Sequence, residues 1–237
     1  MSESRAEMFE HVIADPEAVF NMDESAVFFD MNTSRTYAKK GTKRVRIRGT
    51  GSKKRLTVVL ACSSTGYKFR PMVILNRKKV PKLPSGTNIA VSLQPKSWMD
   101  RNVMQEWVGS VLRHHPHVHR LAPTHLWMDN FSAHTREEVQ AAIRAWQCEP
   151  HFFPPNTTHI LQPLDGGPNR AFKANMRKLW YEYYRSSPPR NAAGVFKLPG
   201  KIIGTSPLKG NATIISWVSK AWDQVEAANI ISSFHRA

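Results

Sequence analysis

Three aspartates in this chain have the chemistry and the setting to hold metal ions. Asp23 lies in the β-like stretch Ala18 to Phe29, Asp129 ends the apolar run Thr124 to Met128, and Asp165 precedes a helix that follows the short stretch Pro150 to Phe153. They are 106 and 36 residues apart, so they meet only if those stretches are strands packed in one sheet. Bare carboxylates brought together repel. At ~5 Å and an effective dielectric of ~20, each pair costs about 3 kcal/mol, and a divalent cation removes that cost. Ligands that are all oxygen point to a hard cation, Mg²⁺ or Mn²⁺, rather than zinc. Two such ions ~3.5–4 Å apart clamp a phosphodiester, one activating the nucleophile and one stabilising the leaving oxygen. Aspartates at strand ends are also common as solvated acids or helix caps, and spacing alone leaves that reading open.

The elements that must position the aspartates read as follows. Residues 1–16 are a polar, acidic lead-in with a short helix before Pro16. Ala18–Phe29, Leu56–Cys62, Phe69–Leu75, Thr124–Met128 and Pro150–Phe153 read as strands, the second and third joined by the turn Ser63-Ser64-Thr65-Gly66. Residues 76–97 are basic and proline-rich and read as mostly loop. Asp100 is placed as an N-cap, and Val103, Met104, Trp107, Val108, Val111 and Leu112 recur at helical spacing until Pro116. Glu137–Trp146 reads as a second helix, and a third starts near Pro168, a residue tolerated in a first turn, and runs to Tyr184. Ser186–Gly210 is rich in proline and glycine and reads as a linker, and Ala212–Ala227 as a closing helical pair. Hairpin-rich at the start and alternating later, this order predicts an α/β fold, a mixed sheet flanked by helices. The division is a lead-in over 1–16, a core over 17–185, and a linker with a C-terminal helical extension over 186–237.

Composition narrows the partners. The 237 residues are 41% hydrophobic, and a chain of 27.0 kDa buries about 70% of its surface, so a large core forms without disulfide or metal staples. Lys and Arg number 34 against 18 Asp and Glu, for a net charge of +16 and a pI near 10.2. That balance calls for a polyanionic partner. No stretch approaches the ~18 apolar residues of a spanning helix, and no signal peptide is expected. Cys62 and Cys148 are isolated, which fits a reducing compartment. From Arg35 to Arg55 there are ten basic residues and no acidic one. Lys39, Lys40, Lys43, Arg44, Arg46, Arg48, Lys53, Lys54 and Arg55 are expected to contact phosphates, which positions DNA without reading its sequence. This run, or Arg77-Lys78-Lys79, also suits a nuclear import signal.

Local words around the aspartates sharpen the reading. Asn21-Met22-Asp23-Glu24-Ser25, Trp127-Met128-Asp129-Asn130-Phe131-Ser132-Ala133-His134, and the segment from Pro154-Pro155-Asn156 through Leu161-Gln162-Pro163-Leu164-Asp165-Gly166-Gly167 resemble the three catalytic blocks of the pogo/Tigger transposases. That group belongs to the DDE/DDD superfamily endonucleases and has centromere protein B and the jerky proteins as relatives. The order matches, with thirty-five residues between the second and third aspartates, and Trp217 to Val225 resembles the closing helix. The likeness runs from about Pro16 to Ala237. It implies an RNase H-like fold with Asp23 on the first strand, Asp129 after the fourth and Asp165 beginning a helix. It also implies metal-dependent cutting of DNA and strand transfer, in the nucleus, with water and then a DNA 3′-hydroxyl as attacking groups. Asp23, Asp129 and Asp165 are then catalytic and hold two Mg²⁺ or Mn²⁺, and Asn130 and His134 are accessory; a homodimer is compatible.

Two departures stand out. The family carries helix-turn-helix domains before the catalytic domain, whereas some twenty residues precede Asp23 here. Pro168 and Asn169 replace apolar residues common in relatives, which predicts looser packing of the helix after Asp165. Alternation along a strand aims Glu24 at the face opposite Asp23, as a structural or solvated acid rather than a ligand. His134 reads equally as a ligand-orienting group, a buried hydrogen-bonded histidine or a helix-start cap. Gln162 and Pro163 are expected to fix the backbone approach to Asp165. The run His114, His115, His117, His119 is expected to be a solvated loop rather than a zinc site, and Trp107, Trp127, Trp146, Trp217 and Trp222 to be core. The rival readings are a domesticated, catalytically silent DNA- or chromatin-binding protein and, less strongly, a hydrolase of RNA–DNA hybrids.

Overall fold

A computed structural model describes residues 3–28, 31, 39–41, 55–119, 122–186 and 207–237. Strands β1 (Val19–Phe28), β2 (Arg55–Ser63), β3 (Met72–Leu75), β4 (Ala90–Leu93), β5 (Thr124–Met128) and β6 (Cys148–Phe152) form one sheet in the order β4-β3-β2-β1-β5-β6. β2 pairs antiparallel with β1 and β3, while β1–β5, β5–β6 and β3–β4 are parallel. The expected mixed sheet flanked by helices is therefore present. β1 and β5 lie side by side, with Asn21 opposite Trp127, which brings Asp23 and the end of β5 to the same region.

The helices are α1 (Glu3–Ala14), α2 (Arg101–Ser110), α3 (Glu137–Arg144), α4 (Thr158–Leu161), α5 (Pro168–Ser186), α6 (Pro207–Asp223) and α7 (Ala227–Arg236). Alternation divides the core in two. Val19 and Val27 of β1, Leu56, Val58, Leu60 and Cys62 of β2 and Trp127 of β5 pack with α5, α6 and α7 through Phe172, Met176, Ile214, Trp222 and Phe234. Phe20 and Met22, Val59 and Ala61, and Leu126 and Met128 face the other way, onto Val103, Met104 and Trp107 of α2 and Val139 and Ile143 of α3. Asp100 caps α2, its carboxylate accepting from the Val103 N–H at 2.9 Å. Trp107, Trp127, Trp217 and Trp222 are buried, while Trp146 is partly buried with the Arg113 guanidinium 5.8 Å from its ring centroid.

Several expectations are corrected. β4 lies within the stretch read as loop; its four residues, Ala-Val-Ser-Leu, are too few to show a period, and parallel pairing with β3 makes it a strand. Asp129 therefore follows the fifth strand, not the fourth. β3 begins at Met72 rather than Phe69, after a single bridge between Cys62 and Lys68. α2 ends at Ser110, before Pro116, and 3₁₀ turns cover Leu112–His114 and Pro116–His119. His115 is buried rather than solvated, its ring stacked on Phe69 at 4.4 Å and near Phe20 at 4.6 Å. His117 pairs with Glu17 at 3.4 Å. Most of the stretch read as linker, residues 187–206, lies outside the described residues.

Candidate active site

A buried polar knot ties together the segments that carry the three aspartates. Asn21, on β1 and fully buried, donates to the Trp127 carbonyl at 2.9 Å and to Gln162 Oε1 at 3.3 Å, and its Oδ1 accepts from the Leu164 N–H at 3.0 Å. Gln162, also buried, donates to the Met22 carbonyl at 3.1 Å. One amide thus ties β1 to β5 just before Asp129, and two amides tie β1 to the turn holding Asp165. Gln162 was expected to act on the approach to Asp165, and its bond to Met22 shows how. Asn21 was missed as a positioning residue; a polar amide between Phe20 and Met22 on a buried strand is the signal that marks it.

Asp23 points to the α5 face and is 8% exposed. Its Oδ2 accepts from Asn169 Nδ2 at 2.6 Å, and the same nitrogen donates to Asp165 Oδ1 at 3.0 Å. Asn169 is 4% exposed. It does not loosen the helix after Asp165; its amide bridges two carboxylates that would otherwise repel. Asp165 itself is exposed, in the turn three residues ahead of α5. That turn lies close under α7: a Cβ on Gly167 would meet Asn229 Oδ1 at 2.7 Å, and one on Gly166 would meet the Pro163 carbonyl oxygen at 3.1 Å. The glycine pair in the third block thus serves close packing.

Glu24 points to the opposite face, as alternation requires, but it is not a solvated acid. Its Oε1 lies 3.0 Å from His134 Nε2, and His134 Nδ1 lies 2.8 Å from Asp129 Oδ1. His134 is fully buried in the turn after Asp129 and so clamps that carboxylate between two elements. Asn130 is exposed beside it.

The electrostatics record the crowding. Burial first, then the carboxylates of Glu24, Asp165 and Asp129, push Asp23 up to about 8, against the lowering effect of the Asn169 hydrogen bond. Burial alone would lower His134, but Glu24 and Asp129 outweigh it and raise the imidazole to about 10. Asp23 thus keeps its proton at neutral pH and His134 is a cation. Among the described residues, Glu24, Asp129 and His134 have ligand atoms within 4.8 Å of one another, a tighter grouping than the three aspartates form. The donor set, a buried acid with the three carboxylates of Glu24, Asp129 and Asp165 near it, fits a hard divalent cation.

Of the expected phosphate-binding residues, Lys39, Lys40 and Arg55 are exposed, and Arg55 lies 5.6 Å over the Trp98 ring. Lys43, Arg44, Arg46, Arg48, Lys53 and Lys54 lie outside the described residues. No described helix is long and apolar enough to cross a membrane.

Comparison with known proteins establishes the fold and the family. A pogo transposable element with KRAB domain from Mus musculus is 24% identical over 224 residues, covering 91% of this chain and 34% of that protein. CENP-B homolog protein 2 of Schizosaccharomyces pombe is 27% identical over 179 residues, covering 71% of this chain and 33% of that protein. The chain thus spans about a third of the length of these curated relatives. Among solved structures, the Mos1 strand transfer complex superposes with a TM-score of 0.55 at 12% identity, over 98% of this chain and 56% of that one. A pre-cleavage Mos1 transpososome gives 0.52 at 11% identity, over 97% of this chain and 64% of that one. The fold is RNase H-like. The family model for the DDE superfamily endonucleases matches residues 53–234, most of the chain, and the chain belongs to that family.

Proposed function

We propose that this chain is the catalytic domain of a transposase-derived endonuclease that binds DNA in the nucleus and cuts and joins phosphodiesters. One observation carries the reading. The Asn21–Gln162 knot ties together the segments that carry Asp23, Asp129 and Asp165, and burial, reinforced by the carboxylates of Glu24, Asp165 and Asp129, keeps Asp23 protonated near neutral pH. Asp23, Asp129 and Asp165 are the catalytic, metal-holding residues, and Glu24 joins them through His134. Two Mg²⁺, or Mn²⁺, bound there supply a polarised attacking oxygen and a stabilised leaving oxygen. The chain's own residues do the rest. Asn169 holds Asp23 and Asp165 together, His134 fixes the direction of Asp129, and Asn130 sits exposed where a phosphate approaches. Lys39, Lys40 and Arg55, with the basic residues between them in sequence, hold the DNA backbone.

The test is nicking of supercoiled DNA in Mg²⁺ or Mn²⁺ by the wild type and by Asp129→Asn. Cleavage by the wild type and its loss in the variant is the expected outcome; equal activity in both rejects the assignment. Salt-sensitive, metal-independent binding with no cleavage under any metal would instead identify a fold kept without its reaction.

A further inference from the structure

Away from the acidic site, three histidines from three elements converge. His11 comes from α1, His125 from β5 and His151 from β6. Their ring nitrogens include one set lying within 4.8 Å of one another. We infer that His11, His125 and His151 form a transition-metal site that takes Zn²⁺ through one ring nitrogen from each and fastens α1 to the sheet.

The contacts are those of a ligand set. His125 Nδ1 and His151 Nε2 face each other at 3.0 Å. His11 stacks on His125 with centroids 3.7 Å apart, and its Nδ1 is buried without a hydrogen-bond partner. Tetrahedral zinc with Zn–N bonds of ~2.0–2.1 Å sets its ligand nitrogens roughly 3.3 Å apart. The His125–His151 pair needs to open by a few tenths of an ångström, and the His11 ring to turn off its stack. The surroundings supply what a metal-bound imidazole uses. His151 Nδ1 lies 3.2 Å from Glu7 Oε1, leaving Nε2 free to bind while Nδ1–H donates to a carboxylate, the arrangement that fixes tautomer and ring direction in zinc sites. Trp127 stacks on His151 at 4.5 Å and holds the ring from the side. Three imidazoles with no thiolate suit zinc, copper or nickel and exclude Mg²⁺ as the preferred ion, so this site and the acidic one select different metals.

α1 gains most from such a link. Met8 is its one buried residue, and Phe9 and Ile13 are 42% and 69% exposed, so its apolar anchorage is slight.

The experiment is Zn²⁺ titration of the chelator-treated full chain by calorimetry, with hydrogen exchange of residues 3–14 as a second readout. An Asp129→Asn background removes binding at the acidic site. One equivalent of Zn²⁺ is expected to bind and to slow exchange across α1. His11→Gln, placed on the surface helix so that the sheet still folds, and His125→Ala are each expected to weaken binding at least 100-fold and abolish the protection. Circular dichroism confirms that both variants fold. Absence of zinc uptake by the chain with its histidines intact, or equal uptake in His11→Gln, overturns the proposal. So does loss of uptake in His134→Gln but not in His11→Gln, which would place the ion at the Glu24–Asp129–His134 group.

Discussion

Replacing Asn21 by leucine keeps nearly the same shape and removes all the polar contacts of the knot. Three buried partners are then stranded: the Trp127 carbonyl, the Leu164 N–H and Gln162 Oε1. Each unsatisfied group costs about 1–3 kcal/mol, and Gln162 keeps its bond to Met22, so the expected loss is roughly 3–6 kcal/mol. A domain's whole stability is only about 5–15 kcal/mol. At roughly 2–4 °C per kcal/mol for a chain of this size, the melting temperature should fall by about 6–24 °C. Differential scanning calorimetry in chelator measures this without any contribution from bound metal. DNA nicking measured well below the melting point of the variant should fall as well, because the turn holding Asp165 loses its tie to β1. Asn21→Asp keeps the acceptor for Leu164 and loses both donations, and should fall between the two. A drop below about 3 °C in Asn21→Leu, or full nicking activity, would refute the view that this amide assembles the site.

Three more outcomes follow from the electrostatics. In metal-free protein, folded Asp23 (about 8, against 3.8 for the ordinary acid) and folded His134 (about 10, against 6.5) keep protons that the unfolded chain has lost. Stability should therefore fall with rising pH, more steeply between 6.5 and 8, where two such protons are at stake, than between 8 and 10, where only that of His134 is; urea melts across that range check it, and His134→Gln should flatten the upper limb. Because Asp23 must lose its proton to ligate a cation, Mg²⁺ binding at pH 7 should release about one proton and at pH 9 far less, read by calorimetry in buffers of different ionisation enthalpy. If six basic residues of the 39–55 run bind phosphates, log affinity for DNA should fall with log salt at a slope of about −5, and neutralising Lys39, Lys40 and Arg55 together should reduce its magnitude by about 2.7.

The sheet was legible because its strands announce themselves: β1 and β2 are long, β5 ends in the apolar run Leu-Trp-Met, and the aspartates sit in recognisable words. β4 was not, because four residues show no period and their strand state comes from pairing with β3. Site residues beyond the aspartates were legible by position and not by partner. Alternation correctly sent Glu24 to the far face, but that a buried histidine waits there is a tertiary fact. Asn169 was noticed as a departure and misjudged, because a buried amide reads as a packing defect until the two carboxylates it joins are seen together. The histidine cluster eluded the sequence entirely: its members lie 114 and 26 residues apart, and of the run of histidines that stands out in the sequence, His115 packs on Phe69 instead.

The charge balance of the site gives the proposed two-ion chemistry a further internal check. With Asp23 protonated and His134 cationic, the formal charges of Asp23, Glu24, Asp129, Asp165 and His134 sum to −2; with Asp23 ionised they sum to −3. Two divalent cations and one phosphodiester carry +3 together. The ionised group and its load therefore cancel, whereas the protonated group matches a single divalent cation. Removing His134's charge would leave the group at −4, overcompensating the load and freeing Asp129 to turn. His134 and Asn169 thus hold β1's two acids from opposite faces, and the imidazolium also fixes how many positive charges the carboxylates can accept. On the proposed two-ion reading, a histidine on the Glu24 face supplies a charge that a neutral amide, able to satisfy the same hydrogen bonds, would not.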